Sequence, residues 1–251
     1  MNRISMGRVM FRLVFSAIIS SLTTGSVVRA EEGSGLVRAL DDHLREQIVI
    51  PGESSELHIT IQPHLDSELT KQGHLKLVEV RSKPAKVKSV YIDDLYIRVR
   101  DVRISPTHML NLNKLLVTSS KESHIEGVLS PTGIEQIFAA GRHTKDMKIK
   151  VSFTRSRKVM MSGIWTLLGT RNPFQATSTA KPSSEGFINL HMETMTLNGV
   201  KVPRILLNKL ENLVNGKLDK VDLPFNPQIR QVKITDGRMN ISSKRPADDA
   251  N

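Results

Sequence analysis

The sequence predicts an α+β protein, a strongly twisted, bulged antiparallel sheet wrapped around amphipathic helices as a half-pipe. Three observations predict it. Several stretches alternate apolar and polar residues with period two, and Asn198-Gly199 and Asp236-Gly237 are hairpin signals between such stretches. The alternation repeatedly slips by one residue, as it does at a β-bulge, and a sheet kinked by several bulges curls. Segments of helical apolar spacing are set among these strands, the strongest of them at 203–218. No regular strand–helix–strand alternation runs through the chain, so the sheet is expected to be antiparallel.

The elements follow in order. Ser34 can cap a first helix in which Leu36, Leu40, Leu44 and Ile48 recur every fourth residue, and Pro51-Gly52 ends it. Leu57, Ile59 and Ile61 mark a strand, and Leu75 to Val80 another. The longest strand signal is Val87 to Ile104, with a slip at Asp101. Leu110 to Val117 is read as a further strand. Ser130 and Pro131 suit the cap and first residue of a short helix, in which Ile134, Ile137 and Phe138 share a face before Gly141. Met147 to Thr154 alternates most cleanly; Val159–Leu168 and Phe174–Ala180 follow as strands. Ile188, Leu190 and Met192 lead through a slip to Met195 and Leu197. In the main helix Pro203 is placed in the first turn. Leu206, Leu210, Leu213 or Val214, and Leu218 form the apolar stripe, widened by Ile205 and Leu207, with Arg204, Lys209, Glu211, Asn212 and Lys217 opposite. A hairpin around Asp236-Gly237 closes the fold, and 244–251 is a polar tail expected to be disordered.

Composition narrows the function. The 251 residues carry a formal charge of +11, which favours anionic partners such as an anionic membrane surface. There is no cysteine, so disulfides and thiolate metal sites are excluded. Residues 1–30 read as a signal peptide: Arg3, Arg8 and Arg12 precede the apolar run Leu13 to Ile19, and Val28-Arg29-Ala30 fits a cleavage site. Retention as an N-terminal anchor is the alternative. Residues 31–243 then form one exported domain in the periplasm or cell envelope, since no low-complexity linker divides them.

Few residues of the chain stand in a catalytic pattern. There is no HExxH, G-x-S-x-G, Walker loop or G-x-G-x-x-G. Ser178-Thr179-Ala180-Lys181 spells S-x-x-K at a strand end and lacks its companion motifs. His191-Met192-Glu193 has no cysteine to complete a deaminase zinc site. The eight histidines show no metal spacing and are read as mostly surface residues. Asp93 and Asp94 are adjacent strand residues that point to opposite faces. We therefore expect no catalytic residue, no metal and no cofactor. Aromatic residues are 4% of the chain, too few for a base-stacking platform, so nucleic acid is not expected as a partner. Arg98, Arg100, Lys148 and Lys150 are candidates for a basic face against anionic lipid headgroups.

The runs GVLSPTGIEQIF, SGIWTLLGTRNPFQATSTA and GFINLHMETMTLNGVKVPRILLNKLENLVN, followed by VDLPFNPQIRQVKITDGRMNIS, resemble the LmeA-like phospholipid-binding family, formerly a bacterial domain of unknown function. The resemblance covers most of 31–251 and is loosest over 50–120. It is most specific at Asn198–Pro203 and at Leu223-Pro224-Phe225. It implies a bacterial envelope protein of tubular lipid-binding-like fold, non-enzymatic, with phospholipid acyl chains in an apolar channel for lipid transfer or envelope maintenance. Ile134, Ile137, Phe138, Trp165, Leu206, Leu210, Leu213 and Val214 are the candidates to line that channel. The alternatives are an envelope enzyme acting on a lipid-linked glycan, and a structural or adhesive β domain. The sequence leaves the oligomeric state unknown.

Overall fold

Bulges set the shape of this molecule, and two of them fall where the alternation slips. The computed structural model describes residues 35–49, 56–88, 90–140, 144–167, 169–218 and 223–244. The expected signal peptide, Ser34, Pro51-Gly52, Gly141 and the tail beyond Lys244 lie outside the described residues.

In chain order the elements begin with α1 (Gly35–Gln47), β1 (Ile48–Val49), β2 (Glu56–Pro63), α2 (Ser67–Lys71), β3 (His74–Lys83), β4 (Ala85–Val87) and β5 (Val90–Ile92). Then come β6 (Asp94–Ile104), α3 (Pro106–Leu112), β7 (Val117–Ser119), β8 (Glu122–Leu129), α4 (Pro131–Ala140) and a 3-10 turn at Lys145–Met147. The rest is β9 (Lys150–Phe153), β10 (Val159–Leu167), β11 (Thr170–Pro182), β12 (Ile188–Leu197), β13 (Val200–Lys201), α5 (Arg204–Leu218), β14 (Gln231–Thr235) and β15 (Arg238–Ser242).

The fold is α+β, and its sheets are antiparallel, twisted and not closed into a barrel. The largest runs β14-β15-β8-β6-β3-β2, with β7 beside β6; the second runs β13-β12-β11-β10-β9; the small third is β1-β4-β5. At Asp101 φ is +46°, and Arg100 and Asp101 are both exposed between buried Val99 and Val102. This left-handed residue produces the phase slip read from the sequence. In the second sheet Thr177 faces Thr194 while Ser178 faces Met192, so Glu193 is the extra residue of a bulge. The turns at Asn198-Gly199 and Asp236-Gly237 have positive φ at both residues, as type I′ hairpins require.

Three local expectations are corrected. Leu110 and Leu112 belong to helix α3, not to a strand, because Ser105 caps it through the His108 N–H and Pro106 occupies its first turn. The strand expected from Met147 starts only at Lys150, because Lys148 adopts φ +46° and a 3-10 turn precedes it. In the main helix Pro203 is the residue before the first turn: its carbonyl accepts from the N–H groups of Leu206 and Leu207.

The core joins these layers. Val78, Val80, Leu95, Ile97, Val99 and Ile125 fill the inner face of the large sheet. Met161, Phe174, Leu190, Met192 and Met195 fill that of the second. α1 packs on α3, β1 and β2, and α4 lies against β5 and β9. Ser130 caps α4 as expected, accepting from Gly133 N–H at 3.2 Å, and its hydroxyl also donates to Asp93 at 3.1 Å. Among the described residues no helix is long and apolar enough to cross a membrane.

Candidate functional site

α5 meets the sheet through its polar side. β12 is paired along its length with β11, but β13 covers only Thr196 and Leu197 on the other side. The backbone from Leu190 to Met192 is therefore an open edge, and the helix fills it. Asn215 Oδ1 accepts from Leu190 N–H at 2.8 Å, and its Nδ2 donates to the Leu190 carbonyl at 3.2 Å. Glu211 Oε2 accepts from Met192 N–H at 3.0 Å, and Arg204 donates to the Met192 carbonyl. Residues 204, 211 and 215 are seven and four apart, one stripe of an α-helix. Helical spacing alone puts Arg204 and Glu211 on the solvent side. They face the sheet because an unpaired strand edge needs donors and acceptors, and an apolar stripe offers none.

The far edge of the same sheet is treated alike. On α4, Glu135 Oε1 accepts from Val151 N–H of β9 at 2.9 Å, while Oε2 pairs with Lys150 at 3.1 Å. The two helices touch each other. One helix thus sits on each edge of the five-stranded sheet and the pair meets between them, which is the helix-closed half-pipe arrangement. The signal for this was in the sequence, as carboxylate and amide residues beside an apolar helical stripe, but such residues are ordinarily solvated.

The expected channel residues divide into groups. Ile134, Ile137 and Phe138 are buried core, and Trp165 is partly buried against it. Leu207 is buried at 3% exposure, whereas Ile205 is 74% and Leu206 49% exposed, with Val200 beside them in sequence at 70%. The expected burial of Leu206 is therefore corrected: the polar stripe is turned inward, and Leu206 lies on the opposite side of the helix. The side chains of Leu210, Leu213 and Val214 lie outside the described residues. Ile137, Phe187, Ile188, Leu223 and Ile229 border an apolar interior space of about 30 Å³. That is room for a water or two and not for an acyl chain.

The basic candidates do not form one row. Arg98 and Arg100 are on β6 in the large sheet; Lys150 is on β9 in the second sheet, and Lys148 precedes that strand. Arg100 is 3.7 Å from Glu122, and Lys150 holds Glu135. On the same outer face Tyr96 donates to Glu79 at 2.7 Å, with the Arg81 guanidinium 4.7 Å above the tyrosine ring. The Tyr96 hydroxyl, then Arg81 and Arg98, hold the Glu79 carboxyl below the usual carboxylate range against its partial burial. Burial and the same bond to Glu79 push the Tyr96 phenol up. Lys158 and Thr179 lower the carboxyl of the bulge residue Glu193 through 2.6 Å bonds.

Of the histidines, His43 departs from the expected surface role. It is 6% exposed, on the inner side of α1. It lines a cleft of about 340 Å³ together with Gln47, Lys88, Asn113, Lys114 and the turn Leu223–Asn226.

These features define a class, an open antiparallel α+β half-pipe whose sheet edges are held by helices. No family model, no curated protein and no solved structure matches the chain.

Proposed function

We propose that this protein binds phospholipid by its acyl chains, without catalysis, and acts in lipid transfer or envelope maintenance. The observation that carries this reading is the orientation of α5. Its polar stripe is engaged with the β12 edge, and Ile205 and Leu206 are left exposed, shortly after the exposed Val200 in sequence. Exposed apolar side chains grouped on one element mark a surface that another apolar body covers. An acyl chain lying along this side of the helix suits it. The basic balance of the chain suits a phosphate-bearing lipid.

The test is to purify the chain, extract it with organic solvent and identify bound lipid by mass spectrometry, then measure lipid transfer between vesicles. The wild type is expected to carry phospholipid. The double variant I205D/L206D is expected to keep its urea midpoint, because both sites are exposed, and to lose the lipid. A wild type that carries no lipid and transfers none overturns the reading. A second reading, a structural β domain that binds a protein, is favoured by the 30 Å³ interior. It predicts lipid-free protein in the same experiment.

A further inference from the structure

The turn between β9 and β10 carries two arginines that the fold does not use. Thr154 ties this turn together. Its N–H donates to the Lys158 carbonyl at 2.9 Å, its carbonyl accepts from the Arg157 N–H at 3.0 Å, and its hydroxyl accepts from the Lys158 N–H at 3.0 Å. Arg155 and Arg157 are exposed on it, and neither guanidinium has a hydrogen bond or ion pair among the described residues. Asp236 opens the hairpin turn between β14 and β15, and its carboxylate is likewise unpaired among the described residues. The two turns belong to different sheets, yet they border one cleft of about 410 Å³, together with Phe153, Ile234 and Thr235.

The spacing of charge sets the class of ligand. Two guanidinium groups and a carboxylate share the cleft without meeting, although each would attract the other. The arginine fork matches phosphate oxygens, and a turn already held by its own hydrogen bonds presents both forks at little ordering cost. A plain anion would meet Asp236 as well as the arginines and lose part of that gain. A small group with phosphate at one end and an ammonium at the other meets each charge with its opposite. Thr235 adds a donor: its hydroxyl oxygen accepts from Asn240 at 2.8 Å, which leaves its own hydrogen for a phosphate oxygen. We propose that this cleft binds a phosphoethanolamine group. Arg155 and Arg157 take the phosphate, Asp236 takes the ammonium, and Phe153 and Ile234 supply apolar surface for the carbon bridge between them.

This site does not depend on the acyl-chain reading, because free phosphoethanolamine and the headgroup of a phosphatidylethanolamine present the same pairing of charges to it.

The experiment uses the full chain and follows the arginine Nε–H resonances by NMR. The chain is titrated with phosphoethanolamine, with inorganic phosphate, and with a short-chain phosphatidylethanolamine kept below its micelle concentration. Phosphoethanolamine is expected to move the resonances of Arg155 and Arg157 and to bind more tightly than inorganic phosphate. Asp236→Asn suits the same left-handed turn position, so the hairpin is kept. It is expected to weaken phosphoethanolamine about five-fold and to leave inorganic phosphate no weaker. Arg155→Ala, at an exposed position, is expected to weaken both about ten-fold. A lipid that binds no more tightly than phosphoethanolamine identifies the free molecule as the ligand; a tighter lipid identifies a headgroup; either supports the site. If phosphoethanolamine moves neither arginine at about 10 mM, where a millimolar site would be mostly filled, the proposal is overturned. Inorganic phosphate that binds equally well overturns it too, as does an Asp236→Asn chain that binds phosphoethanolamine as the wild type does. Each of these results leaves the acyl-chain reading standing, since that reading is decided by the co-purified lipid and by I205D/L206D.

Discussion

Asn215→Ala removes both hydrogen bonds that tie the end of α5 to Leu190. Leu190 is 1% exposed, so its N–H and C=O are stranded rather than handed to water. A buried N–H left without a partner costs about 1–3 kcal/mol, and a carbonyl, with two lone pairs, somewhat less. Alanine offsets about 0.5 kcal/mol of this by its better helix propensity. The expected net loss is about 2–3 kcal/mol. For a domain of this length that lowers the melting temperature by roughly 5–10 °C. Urea melts of both proteins, fitted with a shared slope, give the difference directly. Hydrogen exchange at the Leu190 amide gives a local readout, since protection there should fall with the variant. A loss under about 0.5 kcal/mol with unchanged protection at Leu190 would refute the edge-capping role and place α5 on the sheet by apolar packing alone.

Two further outcomes follow from the same reasoning. Gly133→Ala should destabilise by about 1–3 kcal/mol despite the helix propensity of alanine, because its Cβ would sit 2.5 Å from the Tyr91 carbonyl oxygen of β5; a raised melting temperature would show that α4 shifts freely. Tyr96→Phe should cost about 1 kcal/mol at neutral pH, where Glu79 is ionised and accepts from the hydroxyl. Because the folded carboxyl titrates below its unfolded value, the wild-type advantage is full above the ordinary glutamate range and shrinks as pH falls through the lowered value. Urea midpoints of both proteins from pH 7 to about pH 3 should therefore converge, and parallel curves would remove Glu79 from the interaction.

Much of the strand layout was legible because bulges leave a mark. The slips at Asp101 and before Thr194 were visible as broken alternation, and both hairpins were visible as Asn-Gly and Asp-Gly. What was not legible has one physical root: periodicity equates apolar with buried. In α3 Leu110 and Leu112 are exposed at 54% and 63% while Met109 carries the contact, so the leucines pointed to the wrong period. The better signal there was Ser105-Pro106, the same cap-and-proline pair that correctly placed α4 at Ser130-Pro131. α5 inverted the rule further, since its inward stripe is Arg204, Glu211 and Asn215. The burial of His43 was not legible because its partner Asn113 is seventy residues away, beyond any local spacing.

The clamp of α5 on β12 also makes the helix a ruler. Four residues of α-helix rise about 6 Å, and two residues of strand span about 6.7 Å. Glu211 and Asn215 therefore reach Met192 and Leu190 in step, the helix running antiparallel to the strand. The match constrains length more than composition. Outward positions such as Lys209 and Asn212 can change freely, whereas one residue inserted between 211 and 215 would turn Asn215 by about 100° and put the two scales out of register. The helix can vary in what it presents to its surroundings, but not in how many residues it counts.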